Sequence, residues 1–139
     1  MQANRNAELN GLENICKFEK ANAFDRLKQW TKDGKQFDVV MLDPPAFTKS
    51  RENIQRAIAG YNEINLRGMK LIKPGGFLVT SSCTSLVDAD TFLQTIENAA
   101  KDAKRKLRQV VFQAQSADHP IVPGLENTQY LKFLIAEVQ

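Results

Sequence analysis

The apolar positions of this chain fall into two kinds of run. Some recur every third or fourth residue, as on the buried face of a helix; others are continuous or alternate, as in strands. The clearest continuous run is Val39, Val40, Met41 and Leu42, bounded by polar residues, and it predicts a central strand over residues 37–42 buried on both faces, as in a parallel sheet. It ends on Asp43. Pro44 and Pro45 follow, and because they lack N–H donors and have fixed φ, the ladder stops there. Asp43 is therefore expected at a strand's carboxyl end, where the loops of open α/β sheets form a ligand crevice. A second buried strand, residues 77–82, ends on Cys83. Between the two, residues 53–72 carry Ile58, Tyr61, Ile64 or Asn65, Met69 and Ile72 on one helical stripe, and Lys73-Pro74-Gly75-Gly76 is expected to stop that helix. A right-handed strand-helix-strand crossover makes the two strands parallel neighbours, which brings Asp43 and Cys83 to one edge.

On the amino-terminal side, residues 3–12 read as the last turns of a helix stopped at Asn10-Gly11. Residues 15–20 alternate and predict a short strand near a sheet edge. Residues 23–32 predict a helix with Phe24, Leu27 and Trp30 or Thr31 at helical spacing, ended by Asp33-Gly34. On the carboxyl-terminal side, residues 88–103 predict an amphipathic helix with Phe92, Ile96 and Ala99 or Ala100 inward and Asp88 or Asp90 at its start. Residues 109–115 and 129–138 have no helix between them and are expected to pair antiparallel as a hairpin at the sheet's far edge.

Composition narrows the class of protein without choosing a function. With 42% hydrophobic and 25% charged residues, 139 residues suit one domain spanning 1–139 with a real core. No run approaches the roughly 18 apolar residues of a membrane span, and the polar start does not resemble a signal peptide, so a cytoplasmic protein with no membrane partner is expected. Cys16 and Cys83 fall on different predicted strands, which argues against a disulfide framework or a metal site. A net charge of +3 neither demands nor opposes a polyanion. Lys49, Arg51 and Arg56 in the polar stretch 48–56 suit a solvated loop and a phosphate contact equally. The basic run 101–108 reads first as a solvated helix end, and the lone His119 as structural or exposed.

Three stretches together are more specific. DPPAF at residues 43–47, LIKPGGFLVTSSCTSL at 71–86 and ADHPIVPGLENTQYLKF at 117–133 resemble the class I S-adenosylmethionine-dependent methyltransferases of the cytosine-carbon-5 ribosomal RNA type. The likeness is nearest to the large-subunit family that carries a PUA domain ahead of its catalytic domain. It implies a Rossmann-like α/β sheet, mostly parallel with a carboxyl-terminal antiparallel hairpin, in the order third, second, first, fourth, fifth, seventh, sixth strand. The family's first two strands bear the glycine-rich loop and the ribose-binding acid, and they have no counterpart here. The S-adenosyl-L-methionine site is thus expected to be incomplete in this chain. By resemblance, Asn22, Ala23, Phe24, Asp43 and Pro44 would touch the cofactor, with Asn22 where an aspartate usually receives the adenine amino group. Pro45, Phe47, Lys49 and Arg51 would meet the substrate, ribosomal RNA. Cys83 would add to carbon 6 of cytosine, turning carbon 5 into a nucleophile, and Asp43 would supply or stabilise a proton at the ring nitrogen. Cys16 has no such context and is expected to be a buried small hydrophobe.

Two other readings compete. Amino-group methyltransferases place the aromatic residue directly after the prolines, whereas Ala46 intervenes here before Phe47, and Cys83 would have no task. A truncated, non-catalytic domain that binds RNA or associates with itself follows from the missing cofactor strands. That reading predicts a homodimer burying apolar surface near Phe24, Trp30 and Val39, and no binding of S-adenosylmethionine by this chain alone.

Overall fold

The computed structural model describes residues 1–125 and 128–139. Its elements follow in the order α1 (Gln2–Leu9), α2 (Ala23–Lys32), β1 (Phe37–Leu42), a 3-10 turn (Arg51–Asn53), α3 (Ile54–Lys70), β2 (Ile72–Ser82), α4 (Ala89–Asp102), β3 (Leu107–Gln113) and β4 (Lys132–Val138). The four strands make one sheet in the order β1-β2-β4-β3. β1 and β2 are parallel, whereas β4 runs antiparallel to both β2 and β3. This is the arrangement expected for the fourth, fifth, seventh and sixth strands of the methyltransferase sheet, and the hairpin lies at the far edge as the sequence predicted.

Local signals account for the helices. Asn22 caps α2 through its side-chain oxygen, which accepts from the Asp25 N–H at 3.3 Å; Asp88 caps α4 by accepting from the Thr91 N–H at 2.7 Å. Each satisfies a donor that the first helical turn leaves free. α3 lies against β1 and β2 and also packs on α2 and α4, so one face of the sheet is covered. The core consists of Val40 and Leu42 of β1, Leu78 of β2, Leu134, Ala136 and Val138 of β4, and Tyr61, Ile64, Met69, Phe92 and Ile96 from the helices. Gly68 is required by this packing, because a Cβ there would come within 2.9 Å of Leu42 Cδ1.

The structure corrects four sequence expectations. β1 is not buried on both faces: Val39 is 53% and Met41 70% exposed, because helices cover only one side and β2 is its sole neighbour among the described residues. Residues 15–20 do not form a strand. No ladder partner lies beside them, Ile15 and Phe18 stay exposed, and the segment enters from a turn in which the Ile15 and Cys16 N–H groups both donate to Leu12 O. Cys16 is half-buried rather than buried. Lys73-Pro74-Gly75-Gly76 does not end the helix. α3 stops at Lys70, the chain drops its buried Leu71 and Ile72 into the core, and these four residues form the irregular first half of β2. There the register with β1 shifts between Phe37 and Val39, Gly75 has φ +83°, and a Cβ on Gly76 would lie 2.6 Å from Asp38 O. Among the described residues no helix is long and apolar enough to cross a membrane.

Candidate active site

The parallel pairing of β1 and β2 sets Leu42 opposite Thr80, so Asp43 leaves β1 beside Ser81. The Ser81 hydroxyl donates to Asp43 Oδ1 at 2.6 Å. Further along the same edge, Cys83 Sγ lies 3.9 Å from Pro44 O, the reach of a weak S–H contact. The structure thus brings Asp43, Pro44 and Cys83 together at the carboxyl edge, as the crossover argument required. Asp43 is exposed, Pro44 buried and Cys83 half-buried, which leaves the acid and the sulfur accessible on a backbone fixed by proline.

Aromatic packing supports this edge from beneath. Phe47 meets Tyr61 edge-on with ring centroids 4.6 Å apart and lies 6.2 Å from Phe24, while Tyr61 continues to Phe92 at 5.9 Å. Gly60 lets Phe47 settle on α3, since a Cβ there would sit 3.3 Å from the Phe47 ring. The Tyr61 hydroxyl, fully buried, shares a 2.8 Å hydrogen bond with Thr84 Oγ1 and so ties α3 to the residue after Cys83.

The remaining expected site residues separate. Lys49 and Arg56 line a cleft of about 660 Å³ together with Phe24, Phe47, Ser50 and Gly60. Arg51 instead faces a second cleft of about 640 Å³, shared with Leu86, Asp88, Asp90, Phe112 and Lys132. Pro45 is exposed on the loop that follows β1. Phe24 links the expected cofactor residues to the edge through Phe47. Asn22 and Ala23 have no hydrogen bond to that edge among the described residues, and the Asn22 oxygen is engaged in capping α2. Phe24, a half-buried ring, lines the open cleft that also carries Lys49 and Arg56, and Asp43 is the charged group of the expected cofactor set. Among the described residues no three His, Cys, Asp or Glu side chains gather as a metal site.

Sequence reasoning missed Lys132. It is 5% exposed, on the helix-packed face of β4, and its ammonium donates to Thr84 O at 2.6 Å and Tyr130 O at 2.9 Å. Burial pushes its pKa down to about 8, against the attraction of negative charge on Cys83 and Asp88. Asp88 itself is held below the usual carboxylate range by the Thr91 N–H it caps. The signal for Lys132 was its phase: in β4 it alternates with the buried Leu134, Ala136 and Val138. His119 is exposed and bonds through Nδ1 to the Tyr130 hydroxyl at 2.9 Å. Glu126 and Asn127, within the third matched stretch, lie outside the described residues.

No family model matches the chain. It is 39% identical over 98% of its length to the ribosomal RNA large subunit methyltransferase I of Shewanella denitrificans, and 36% identical over 94% to the protein of the same name from Erwinia tasmaniensis. The chain spans about a third of these relatives, 34% and 33% respectively. Among solved structures, SMU.776, described as a methyltransferase complexed with SAH, superposes with a TM-score of 0.70 at 20% identity, covering 84% of this chain and 30% of that one. A methyltransferase homolog from Pyrococcus horikoshii gives 0.56 at 17% identity, covering 96% and 48%. The fold is α/β, a Rossmann-like methyltransferase sheet with a mixed, antiparallel end.

Proposed function

We propose that this chain acts, as part of a longer enzyme, in S-adenosylmethionine-dependent methylation of ribosomal RNA, and that its target atom is carbon 5 of cytosine. The observation that carries the reading is the meeting of Cys83 with the loop of Asp43 and Pro44 at the open carboxyl edge of two parallel strands. The names of the relatives support ribosomal RNA as substrate. The three matched stretches extend the proposal to a single catalytic domain over residues 1–139, preceded in the longer enzyme by a PUA domain. Phe24 and Pro44 would hold the adenosyl side of the cofactor, with Asn22 offering its remaining amide capacity and Ala23 close backbone. The cofactor supplies an electrophilic methyl group.

The chain's residues do the rest. The Cys83 thiolate adds to carbon 6, forming an S–C bond, while the ring nitrogen takes up a proton that Asp43 gives or stabilises. Ser81 fixes one oxygen of Asp43 and leaves the other without a protein partner among the described residues. Once carbon 5 carries the methyl group, loss of its proton restores the double bond as the sulfur leaves. Pro45 and Phe47 bound the base, and Lys49 and Arg51 meet the RNA backbone. RNA bearing 5-fluorocytidine tests this directly, because fluorine cannot leave as a proton does. The longer enzyme should become covalently joined to that RNA through the Cys83 peptide. Cys83→Ser should lose both the adduct and cytosine methylation while binding the cofactor as before; methylation retained in that variant would sink the assignment.

A second reading is favoured by a different observation. The outer edge of β1 is unpaired among the described residues and flanked by exposed Val39 and Met41, which supports self-association of this chain in the absence of further strands.

A further inference from the structure

Lys132 stands directly opposite Ser82 in the β2–β4 ladder, one residue before Cys83, and its ammonium donates to the carbonyl of Thr84, one residue after. The Tyr130 carbonyl takes a second N–H, and the third has no protein acceptor among the described residues. Among the described residues no carboxylate forms an ion pair with it. Asp88 is near enough to be felt, but its carboxylate is committed to the head of α4. A buried cation with only neutral acceptors is costly, and the folds that keep one usually supply a negative partner.

We propose that this partner is the Cys83 sulfur, so that Lys132 is the positioning residue whose ammonium favours and holds the thiolate that attacks the base. The proposal rests on the reading of Cys83 as the nucleophile. In the activating step the S–H bond breaks, its electron pair stays on sulfur, and the proton passes to water or, when Lys132 is neutral, to the amine as a new N–H bond. The same ammonium then remains beside the sulfur when the adduct collapses and charge returns to it. Lys132 titrates close enough to neutral pH for either route, since burial brings it down to about 8. The other charged groups facing it are Asp88 and Asp90 at the start of α4 and Arg51 on the 3-10 turn, across the same cleft. Two acids against one further cation leave the local field unable to substitute for Lys132.

Two measurements on the 139-residue chain test the pair. In the first, alkylation of Cys83 by iodoacetamide at pH 7 is followed by mass spectrometry of its peptide. Lys132→Met should slow it by about tenfold, the effect of one unit in thiol ionisation, and Lys132→Arg should restore most of the rate. Mere loosening of the site would expose the sulfur and speed the reaction, so slowing separates charge from structure. The second leaves Lys132 in place: the ammonium is titrated by carbon-13 NMR of its Cε in the wild type and in Cys83→Ser. Because coupling is reciprocal, removing the sulfur's charge should move the Lys132 midpoint down from about 8. An unmoved midpoint overturns the pair, as does alkylation that Lys132→Met leaves unchanged. Neither readout needs methyl transfer, so loss of the pair would leave the nucleophile assignment to the fluorocytidine test, and failure of that assignment would leave the pair intact.

Discussion

At the scale of single residues, burial of Lys132 fixes the sign of a pH effect. Its pKa in the fold is about 8 against an ordinary 10.5, so between those values the unfolded chain binds a proton that the folded chain releases. Stability therefore rises with pH across that window, by about 3 kcal/mol at most, and below pH 8 the fold carries the full penalty of the buried ammonium. Urea unfolding at pH 7 and pH 10 should show the rise in the wild type and not in Lys132→Met. Equal slopes in both would assign it to other groups. The sequence pattern did not disclose this residue because, in the strand expected over residues 129–138, Leu131, Phe133, Leu134 and Ile135 put apolar side chains on both faces around Lys132 and so assign it to neither. Asp43 and Cys83 were legible for the opposite reason. Asp43 follows the apolar run Val39 to Leu42 and Cys83 follows the strand Phe77 to Ser82, and a strand's end is a place that sequence can mark.

At the scale of elements, residues 48–56, from the loop after β1 into the first turn of α3, divide their cations. Lys49 and Arg56 face the cleft beside Phe24 and Phe47, whereas Arg51 faces the cleft beside Asp88 and Lys132. If both clefts carry the RNA backbone, Lys49→Ala with Arg56→Ala and Arg51→Ala alone should each reduce the salt dependence of RNA binding. The slope should fall by about 0.7 for each single-strand phosphate that the variant no longer neutralises. A slope unchanged in every variant returns the segment to a solvated loop. Helix α2 was readable residue by residue, because spacing is local: residues 23–32 carry the expected stripe and Asp33-Gly34 ends it. Strands depend on what lies beside them. Residues 15–20 alternate as a strand should, yet form none without a ladder. The run Val39 to Leu42 is apolar on both faces, yet helices cover one face only.

At the scale of the whole molecule, β1 is an edge strand of the sheet among the described residues. A parallel strand directs alternate N–H and C=O groups to each side; β2 satisfies one set, and the other set faces outward without a partner among the described residues. Exposed Val39, Met41 and Phe77 continue this edge as apolar surface. The expected dimer face near Trp30 is less open: Trp30 packs against Phe37 with centroids 5.3 Å apart, and Lys35 and Arg26 lie over its ring at 5.3 and 5.9 Å. Self-association should therefore centre on Val39 and Met41, with two β1 strands pairing edge to edge about a two-fold axis. Light scattering of this chain should report about twice 15.6 kDa. Val39→Lys, which adds a charge to the edge without touching the core, should return it to the monomer. If the methionine end is held by the two family strands that the resemblance sets ahead of β1, titration of these 139 residues with S-adenosylmethionine should give no measurable heat. A monomer that binds the cofactor tightly would refute both parts, because it would mean that residues 1–139 complete the pocket by themselves and have no need of an added strand.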